Sequence, residues 1–263
     1  MLVNKVVIAA AGQGTRMLEL SKDKSKHLIE VNNRPFLAYL MDSLLMAGYR
    51  EIILVVGFKV ELMNDFVEGY LPPKGIDKND FKVSLVNQCD IIGLKEKEYG
   101  TACPIKCVKD IVGDENFIYV YGDNLFSVED LRAMNIDDEF CYIAGLKQEH
   151  PEKYGVLIED GDDFLEKIIE KPSPAKIYEI NLGGQENLLI NAGLYKFTKE
   201  IFDKISKIQK SIRGEYEVTD AISLLAEDRK VKIIKIKDYF KDFGNPDDVQ
   251  KISKFLNANL KTE

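Results

Sequence analysis

The chain has 263 residues, of which 45% are hydrophobic and 30% are charged, and its formal net charge is −8. This is the composition of a globular protein with a full core, and the negative charge excludes a general nucleic-acid or anionic-membrane surface. No apolar run is long enough to span a bilayer, and the N-terminus carries no signal-peptide cleavage pattern. We therefore expect a cytoplasmic protein without nucleic-acid or membrane partners.

The first half of the chain alternates short β-rich runs with longer helical patterns. Pro35 is placed as a first-turn residue of the first predicted helix, and Gly48 as its stop. This βαβ order predicts a mostly parallel, doubly wound sheet. The predicted strands cover residues 2–10, 51–56, 81–86 and 117–123, and the predicted helices cover residues 35–48, 59–71 and 103–113.

The second half is less regular and predicts an antiparallel lobe added to the sheet. The fold class that we predict is α/β, a Rossmann-like three-layer sandwich with a mixed, mostly parallel central sheet. Ligands of such sheets bind at the carboxyl ends of the strands. The predicted strands cover residues 140–146, 154–159, 164–170, 188–197 and 230–238, and the predicted helices cover residues 199–208, 218–228 and 247–260.

A glycine loop follows the first predicted strand, in "VVIAAAGQGTRM" (residues 6–17). Its glycines permit close backbone approach, and Arg16 with the neighbouring amides indicates a bound anion, most simply a phosphate. No P-loop string occurs, and Met17 stands where a dinucleotide fingerprint needs a third glycine. A plain strand-to-helix turn would explain both glycines but gives Thr15 and Arg16 no role.

The four cysteines invite a metal interpretation because Cys103 and Cys107 are four residues apart. The chain has only two histidines and no second close cysteine pair, so a zinc ligand set is incomplete. We expect reduced, structural thiols.

Eight motifs in order resemble those of the sugar-1-phosphate nucleotidyltransferases, the nucleotide-sugar pyrophosphorylases, and in particular the glucose-1-phosphate uridylyl- and thymidylyltransferases. Each motif alone is a weak signal, but the eight together cover nearly the whole chain. They are "AAGQGTRM", "SKHLIEVNNRP", "YGTACPI", "VYGDNLF", "IIEKP", "NAGLYKF", "GEYEVTDAI" and "DFGNPDDV".

The resemblance implies the nucleotide-diphospho-sugar transferase fold and a reaction. A nucleoside triphosphate and a sugar 1-phosphate give a nucleotide sugar and pyrophosphate, with Mg²⁺ as cofactor. Cations and oriented amides offset the repulsion between the two polyanions. The resemblance also implies one domain over residues 1–263, in which residues 1–130 mainly bind the nucleotide, residues 131–245 mainly bind the sugar and residues 246–263 form a C-terminal helix.

The resemblance implies Arg16, Lys26 and Asp123 as catalytic residues. Arg16 would hold the β- and γ-phosphates through its forked guanidinium, and Lys26 would reach the α-phosphate. The alternative for Lys26 is a solvated loop lysine, because only its nine-residue spacing to Pro35 distinguishes it from its neighbours. The implied nucleotide-binding residues are Ala10, Ala11, Gly12, Gln13, Gly14, Thr15, Arg16, Gln88, Gly100 and Thr101.

Asp123 and Asp242 are the implied magnesium ligands, since Mg²⁺ is usually held by one or two carboxylates plus substrate phosphates. The alternatives are a turn aspartate and a surface charge. Asp220 resembles a further site residue, or is an early-turn residue that caps a helix. The implied sugar-phosphate-binding residues are Gly155, Glu170, Lys171, Asn191 and Glu217.

The chain departs from the family pattern at several points. Residues 89–99 separate Gln88 from Gly100 by more than the pattern leads us to expect, which affects the contact with the base. Leu18 and His27 stand in positions where prolines are usual. The 263 residues contain no hexapeptide repeats, so we expect no fused acyltransferase.

Two other classes remain open, an NAD(P)-dependent oxidoreductase and a non-catalytic regulatory subunit that binds nucleotide sugars. The oxidoreductase explains neither Arg16 nor Lys26. Within the transferases, "AAGQGTR" favours UTP, with dTTP next because of "GEYEVTD". Glucose 1-phosphate is favoured over N-acetylglucosamine 1-phosphate, and a homo-oligomer is compatible with the sequence.

Overall fold

The chain folds as two compact units. The structure is a computed structural model that describes residues 2–12, 14–57, 59–93, 98–182 and 188–259. The first unit consists of Asn4–Leu94, Val120–Arg132 and Asp238–Glu263, and the second unit consists of Met1–Val3, Lys95–Tyr119 and Ala133–Lys237. The assignment of one domain with a nucleotide-binding part and a sugar-binding part stays a prediction.

The strands are short, and several have only two or three residues. They are β1 (Lys5–Ala10), β2 (Glu30–Val31), β3 (Arg34–Pro35), β4 (Glu51–Val56), β5 (Lys82–Asn87), β6 (Phe117–Tyr121), β7 (Asn124–Phe126), β8 (Cys141–Lys147), β9 (Gly155–Glu159), β10 (Leu165–Glu170), β11 (Leu189–Phe197), β12 (Val231–Lys235) and β13 (Phe240–Asp242).

The helices follow the strands in the order that the sequence predicts, with additional short ones. They are α1 (Phe36–Ala47), α2 (Val60–Gly69), α3 (Gln88–Ile92), α4 (Cys103–Lys106), α5 (Lys109–Val112), α6 (Val128–Ala133), α7 (Pro174–Leu182), α8 (Glu200–Ile205), α9 (Val218–Glu227) and α10 (Pro246–Asn259).

In the first unit, strands β1, β4 and β5 pair side by side in parallel. The apolar residues of β1 and β4 are almost all buried, as continuous runs in parallel strands should be, whereas Val86 is the buried apolar residue of β5. The register places Ala10 opposite Val56, and Val56 opposite Asn87. The three strands therefore end at one edge, where the glycine loop, Gly57 and Gln88 begin.

In the second unit, five strands pair in the order β10-β9-β11-β8-β12. The β10–β9, β9–β11 and β11–β8 pairs are antiparallel, and the β8–β12 pair is parallel. This is the added antiparallel part that the second half of the sequence predicts. The register of β11 against β8 shifts between Asn191 and Tyr195, where the strand bulges.

Several predicted boundaries are wrong. Pro35 is the N-cap residue of α1 and not a first-turn residue, because it pairs with Glu30 in the small β2–β3 ladder. Residues 103–113 form two short helices instead of one. The sequence did not predict seven of the elements. Strands β2, β3, β7 and β13 have only two or three residues each, which is too few to show a period, and α7 has a weak apolar face. The other two are α3 and α6.

Two expectations from composition can be compared with the structure. All four cysteines are described and none forms a disulfide. Among the described helices, none is long and apolar enough to cross a membrane.

Candidate active site

The glycine loop lies at the end of β1, directly after the buried Ala10. Gly14 has a φ of 66°, and a β-carbon there would lie 2.7 Å from Cβ of Lys26. Both the backbone conformation and the lack of space therefore require glycine. Ala11 and Gly12 are half-buried beside it. Gln13 and the side chain of Thr15 lie outside the described residues, and their role in nucleotide binding stays a prediction.

Met17 occupies the position at which a dinucleotide-binding fingerprint would have its third glycine. Its side chain is fully buried, and its amide donates a hydrogen bond to the carbonyl of Gly14 at 2.8 Å. The loop thus turns directly into the 3₁₀ helix Thr15–Ser21. Met17 belongs to the core, so the loop closes by burying a large apolar residue.

Lys26 forms an ion pair with Asp123 across the loop. The two side chains are only 12% and 17% exposed. By contrast, Lys22 is 69% exposed and lies 3.6 Å from Glu19 on the surface. The structure therefore distinguishes Lys26 from Lys22 by its burial and by its partner.

A two-stranded antiparallel ribbon, β7 with β13, carries the two aspartates predicted to bind metal. Asp242 lies opposite Asn124, and the amide of Phe243 donates to the carbonyl of Asp123 at 2.8 Å. The ring of Phe243 is fully buried and stacks on Phe36, with ring centroids 4.4 Å apart. Packing thus fixes the ribbon end at which both carboxylates lie.

The charges in this site act on one another. Burial disfavours the ionised form of Asp123, but the charge of Lys26, its hydrogen bond and the other nearby groups together outweigh burial and hold the pKa of Asp123 below its usual range. Burial, followed by the charge of Asp123, raises the pKa of Asp242 to about 6, although Lys26 and Arg16 act in the opposite direction. Arg16 itself is exposed, and a β-carbon on Gly244 would lie 3.6 Å from its Nη2 and 3.4 Å from Asp242 Oδ1.

Asp242→Asn should stabilise the protein at neutral pH in the presence of chelator. The folded-state pKa of Asp242 lies above the ordinary value of 3.8, so the folded state binds more protons and loses stability as pH rises from about 4 to about 6. Asparagine removes a penalty of up to about 3 kcal/mol at pH 7.5, and roughly half of that at pH 5. Urea unfolding of both proteins at the two pH values measures this difference. Equal free energies of unfolding for the two proteins at pH 7.5 would contradict a raised pKa for Asp242.

His27 is a site residue that sequence reasoning missed. Its imidazole is buried, its Nδ1 lies 2.8 Å from Ser25 Oγ, and a β-carbon on Gly122 would lie 2.9 Å from its Cδ2. Burial, then the charge of Lys26, lowers the pKa of His27 to about 3, so the ring is neutral. It thus packs beneath the turn that carries Asp123. The signal in the sequence is a lone histidine directly after Lys26, at a position where a proline is usual.

Gln88 begins α3 and is 7% exposed. Within the described residues, its Oε1 is buried and has no hydrogen-bond donor. Next to it, Cys89 Sγ contacts the carbonyl of Gly57 at 3.6 Å, and a β-carbon on Gly57 would lie 3.2 Å from Cβ of Ala11. A buried acceptor without a donor is costly, so Gln88 is suited to a ligand that donates.

Three of the predicted sugar-phosphate residues lie together in the second unit. Gly155 pairs with Glu170, and a β-carbon on Gly155 would lie 2.8 Å from Glu170 Oε2 and 3.7 Å from Cβ of Asn191. Asn191 Oδ1 accepts from the amide of Gly193 at 3.0 Å. Lys171 follows Glu170 with a φ of 43° and is exposed. Glycine at position 155 therefore leaves space for the Glu170 carboxylate.

A second group in that unit contains Gly100, Thr101 and Glu217. A β-carbon on Gly100 would lie 2.2 Å from the carbonyl oxygen of Tyr216, so no side chain fits there. Thr101 Oγ1 donates to Glu217 Oε2 at 3.2 Å and accepts from the amide of Val218 at 2.9 Å. This hydroxyl therefore links the Gly-Thr-Ala turn to the start of α9.

Glu217 is already bound by its own segment. Arg213 Nη2 donates to its Oε1 at 2.8 Å, and Ser211 Oγ lies 3.4 Å from the same oxygen. Sequence reasoning missed both residues, because the recognised motif began only at Gly214. Asp220 lies in the first turn of α9, whose N-cap is Glu217, and burial followed by the charge of Glu217 raises the pKa of Asp220.

The predicted residues thus fall in both units. The first unit contains the glycine loop, Lys26, Gln88, Asp123 and Asp242, and the second contains Gly100, Thr101 and all five predicted sugar-phosphate residues.

The donor set of the first unit fits magnesium. Asp123 and Asp242 supply hard carboxylate oxygens, and the described residues contain no cluster of three or more His, Cys, Asp or Glu side chains that could hold a metal unaided. Mg²⁺ is commonly bound by one or two carboxylates with substrate phosphates and water completing the shell. When bound, such an ion neutralises phosphate charge and orients the leaving group.

The sequence profile of one protein family, described as Nucleotidyl transferase, matches residues 5–259. The chain belongs to this family. The match argues against the oxidoreductase that the alternating first half left open.

Two curated members of the family illustrate the likeness. The chain is 34% identical over 256 residues to a bifunctional sugar-1-phosphate nucleotidylyltransferase/acetyltransferase of Sulfurisphaera tokodaii, covering 97% of this chain and 56% of that protein. It is 28% identical over 251 residues to the UTP–glucose-1-phosphate uridylyltransferase AglF of Haloferax volcanii, covering 93% of each. The chain spans about half the length of several curated relatives that it matches.

Among solved structures, a UDP-glucose pyrophosphorylase complexed with UDP-glucose matches with a TM-score of 0.77. The match covers 97% of this chain and 99% of that one, at 20% sequence identity. It confirms the predicted fold class, an α/β fold with a mixed central sheet and an added antiparallel part.

Proposed function

We propose that this chain joins a nucleoside triphosphate to a sugar 1-phosphate, with UTP and glucose 1-phosphate as its substrates and Mg²⁺ as its cofactor. A phosphate oxygen of the sugar 1-phosphate forms a bond to the α-phosphorus. The bond from that phosphorus to the bridging oxygen breaks, and pyrophosphate leaves with the electron pair. The observation that carries the proposal is the Lys26–Asp123 ion pair beside the glycine loop, with Asp242 on the same ribbon.

The phosphate chemistry needs cations and oriented amides more than a general base, because the attacking oxygen is already an anion. Arg16, exposed next to Asp242, would hold the β- and γ-phosphates. The amides of the loop after β1 would hold the triphosphate at the end of the strand. Lys26 would contact the α-phosphate.

Gln88 is compatible with a uracil or thymine base. Its buried Oε1 has no donor among the described residues, and the N3–H of either base can donate to it. UTP is preferred over dTTP because "AAGQGTR" resembles uridylyl-transferring members and because AglF is named a UTP–glucose-1-phosphate uridylyltransferase.

The sugar 1-phosphate would bind in the second unit. Glu170 would accept hydrogen bonds from sugar hydroxyls, Asn191 would offer its amide, and Lys171 would pair with the phosphate. Gly100 and Thr101 would contact the nucleotide, and Glu217 would contact the sugar phosphate. The proposal places the enzyme in the cytoplasm and is compatible with a homo-oligomer.

A pyrophosphate-release assay with UTP, dTTP, ATP and GTP against several sugar 1-phosphates tests the proposal. We expect magnesium-dependent release, highest with UTP and glucose 1-phosphate. Highest release with dTTP, or with N-acetylglucosamine 1-phosphate, would correct the substrate and keep the reaction. No release with any pair in the presence of Mg²⁺ would leave the non-catalytic alternative.

A further inference from the structure

We propose that Lys26 makes metal and triphosphate binding interdependent, because its ammonium occupies Asp123 Oδ2 and must leave that oxygen before a divalent cation can bind there. This inference rests on the proposed function and adds a second role for Lys26 beyond the α-phosphate. The triphosphate draws the ammonium away from Asp123 and thereby frees the carboxylate for the metal.

The first support is the ion pair itself. Lys26 Nζ contacts Asp123 Oδ2, and both side chains are largely withdrawn from water. Charges interact more strongly where water screens them less, so the ammonium is a strong competitor for this oxygen. A magnesium ligand needs an oxygen at about 2.0–2.1 Å in near-octahedral geometry. An ammonium and a divalent cation on the same oxygen would repel each other at that distance.

The second support is the charge balance around Asp123. Asp242 lies opposite Asn124 on the ribbon that follows Asp123, and Arg16 lies beside Asp242, since Arg16 Nη2 and Asp242 Oδ1 are 3.6 and 3.4 Å from the same β-carbon position on Gly244. Lys26 forms the direct ion pair with Asp123. If the ammonium leaves, two carboxylates face each other with less compensation. That arrangement attracts a divalent cation.

The third support is the course of the Lys26 side chain. A β-carbon on Gly14 would lie 2.7 Å from its Cβ, and one on Gly12 would lie 4.0 Å from its Cε. The aliphatic stem therefore runs along the loop whose amides are proposed to hold phosphate. Rotation about the outer bonds of the side chain carries the ammonium from Asp123 toward that loop without any backbone change.

These three observations define a coupling between two ligands. A triphosphate that binds the ammonium frees Asp123 for metal, and a metal on Asp123 frees the ammonium for phosphate. By linkage, each ligand strengthens the binding of the other by the same factor.

Isothermal titration calorimetry with Mn²⁺ alone tests the inference without any turnover. The proteins are the wild type, Lys26→Met, Lys26→Gln and, as a matched control for loss of one positive charge in the same segment, Lys22→Met. We expect both Lys26 variants to bind Mn²⁺ at least tenfold tighter than the wild type, which is about 1.4 kcal/mol. Lys22→Met should bind like the wild type, since Lys22 is exposed.

A second measurement gives the coupling. The affinity of a UTP analogue with a methylene group between the α- and β-phosphates is measured in chelator and in saturating Mn²⁺. The ratio of the affinity in saturating Mn²⁺ to the affinity in chelator should be at least ten times smaller in the Lys26 variants than in the wild type. The glutamine variant keeps a hydrogen-bond donor near Asp123, so it serves if the methionine variant unfolds.

Mn²⁺ binding in both Lys26 variants that is no tighter than in the wild type would overturn the inference. If the pyrophosphate assay shows turnover, such Mn²⁺ binding overturns the inference and leaves the proposed function standing. If no pair of substrates turns over but the Lys26 variants bind Mn²⁺ tighter, and Asp123→Asn in the Lys26→Met protein removes that binding, the competition stands and the proposed function fails.

Discussion

Asp123→Asn should lower the turnover number by at least about a thousandfold. Asparagine keeps an oxygen that accepts from Lys26 but removes the charge proposed to hold magnesium. Loss of metal stabilisation worth about 4 kcal/mol in the transition state corresponds to this factor. Steady-state rates at saturating substrates and Mg²⁺ measure it, with urea unfolding as a check on the fold.

The matched control for this variant is Asp203→Asn. Asp203 pairs with Lys207 at 2.7 Å, but both side chains are more than half exposed, and such surface pairs contribute little. We expect wild-type turnover from it. If Asp123→Asn kept more than a tenth of the wild-type rate with a stable fold, Asp123 would not be a metal ligand in the reaction.

Lys26→Ala should lower the turnover number a hundredfold to a thousandfold and change either Michaelis constant much less. The reason is that the ammonium exchanges Asp123 for the triphosphate on binding, so its net effect on ground-state affinity is small, and its contact with the α-phosphate strengthens as charge develops in the transition state. The size of the effect follows single charge-stabilising donors in other active sites, about 2.7–4 kcal/mol. Initial rates over a matrix of both substrate concentrations separate the two constants.

Lys22→Ala and Lys24→Ala are the controls in the same segment. Lys22 lies on the surface next to Glu19, and Lys24 is also outside the ion pair with Asp123. Both variants should turn over at nearly the wild-type rate. Comparable, mild losses in all three alanine variants would refute the special role of Lys26 and support a solvated lysine cluster.

The sequence by itself determined the parallel strands and the glycine loop. Strands β1 and β4 are continuous apolar runs, which signal burial on both faces without knowledge of their partners, and β5 shows the alternation of a half-buried strand. Gly14 could be recognised as special because a loop after a buried strand needs left-handed backbone and close approach. The spacing of Lys26 to Pro35 singled out the lysine that the structure pairs with Asp123.

Only the tertiary structure decided how the charged residues meet. Strands β7 and β13 have three residues each, too few for a period, and they pair parts of the chain far apart in sequence. That pairing places Asp242 opposite Asn124, next to Asp123, whereas in the sequence only the family resemblance linked the two aspartates. Pairing of this kind depends on packing, here of Phe243 on Phe36, and not on local propensity.

Burial of polar groups was also decided by tertiary structure. His27 is neutral because its surroundings exclude water, and the Oε1 of Gln88 is buried without a donor among the described residues. Neither property follows from neighbours in the sequence, since desolvation is produced by segments that arrive from elsewhere in the fold. Residue types and spacing therefore identified the candidate groups, and the fold set their charge and their partners.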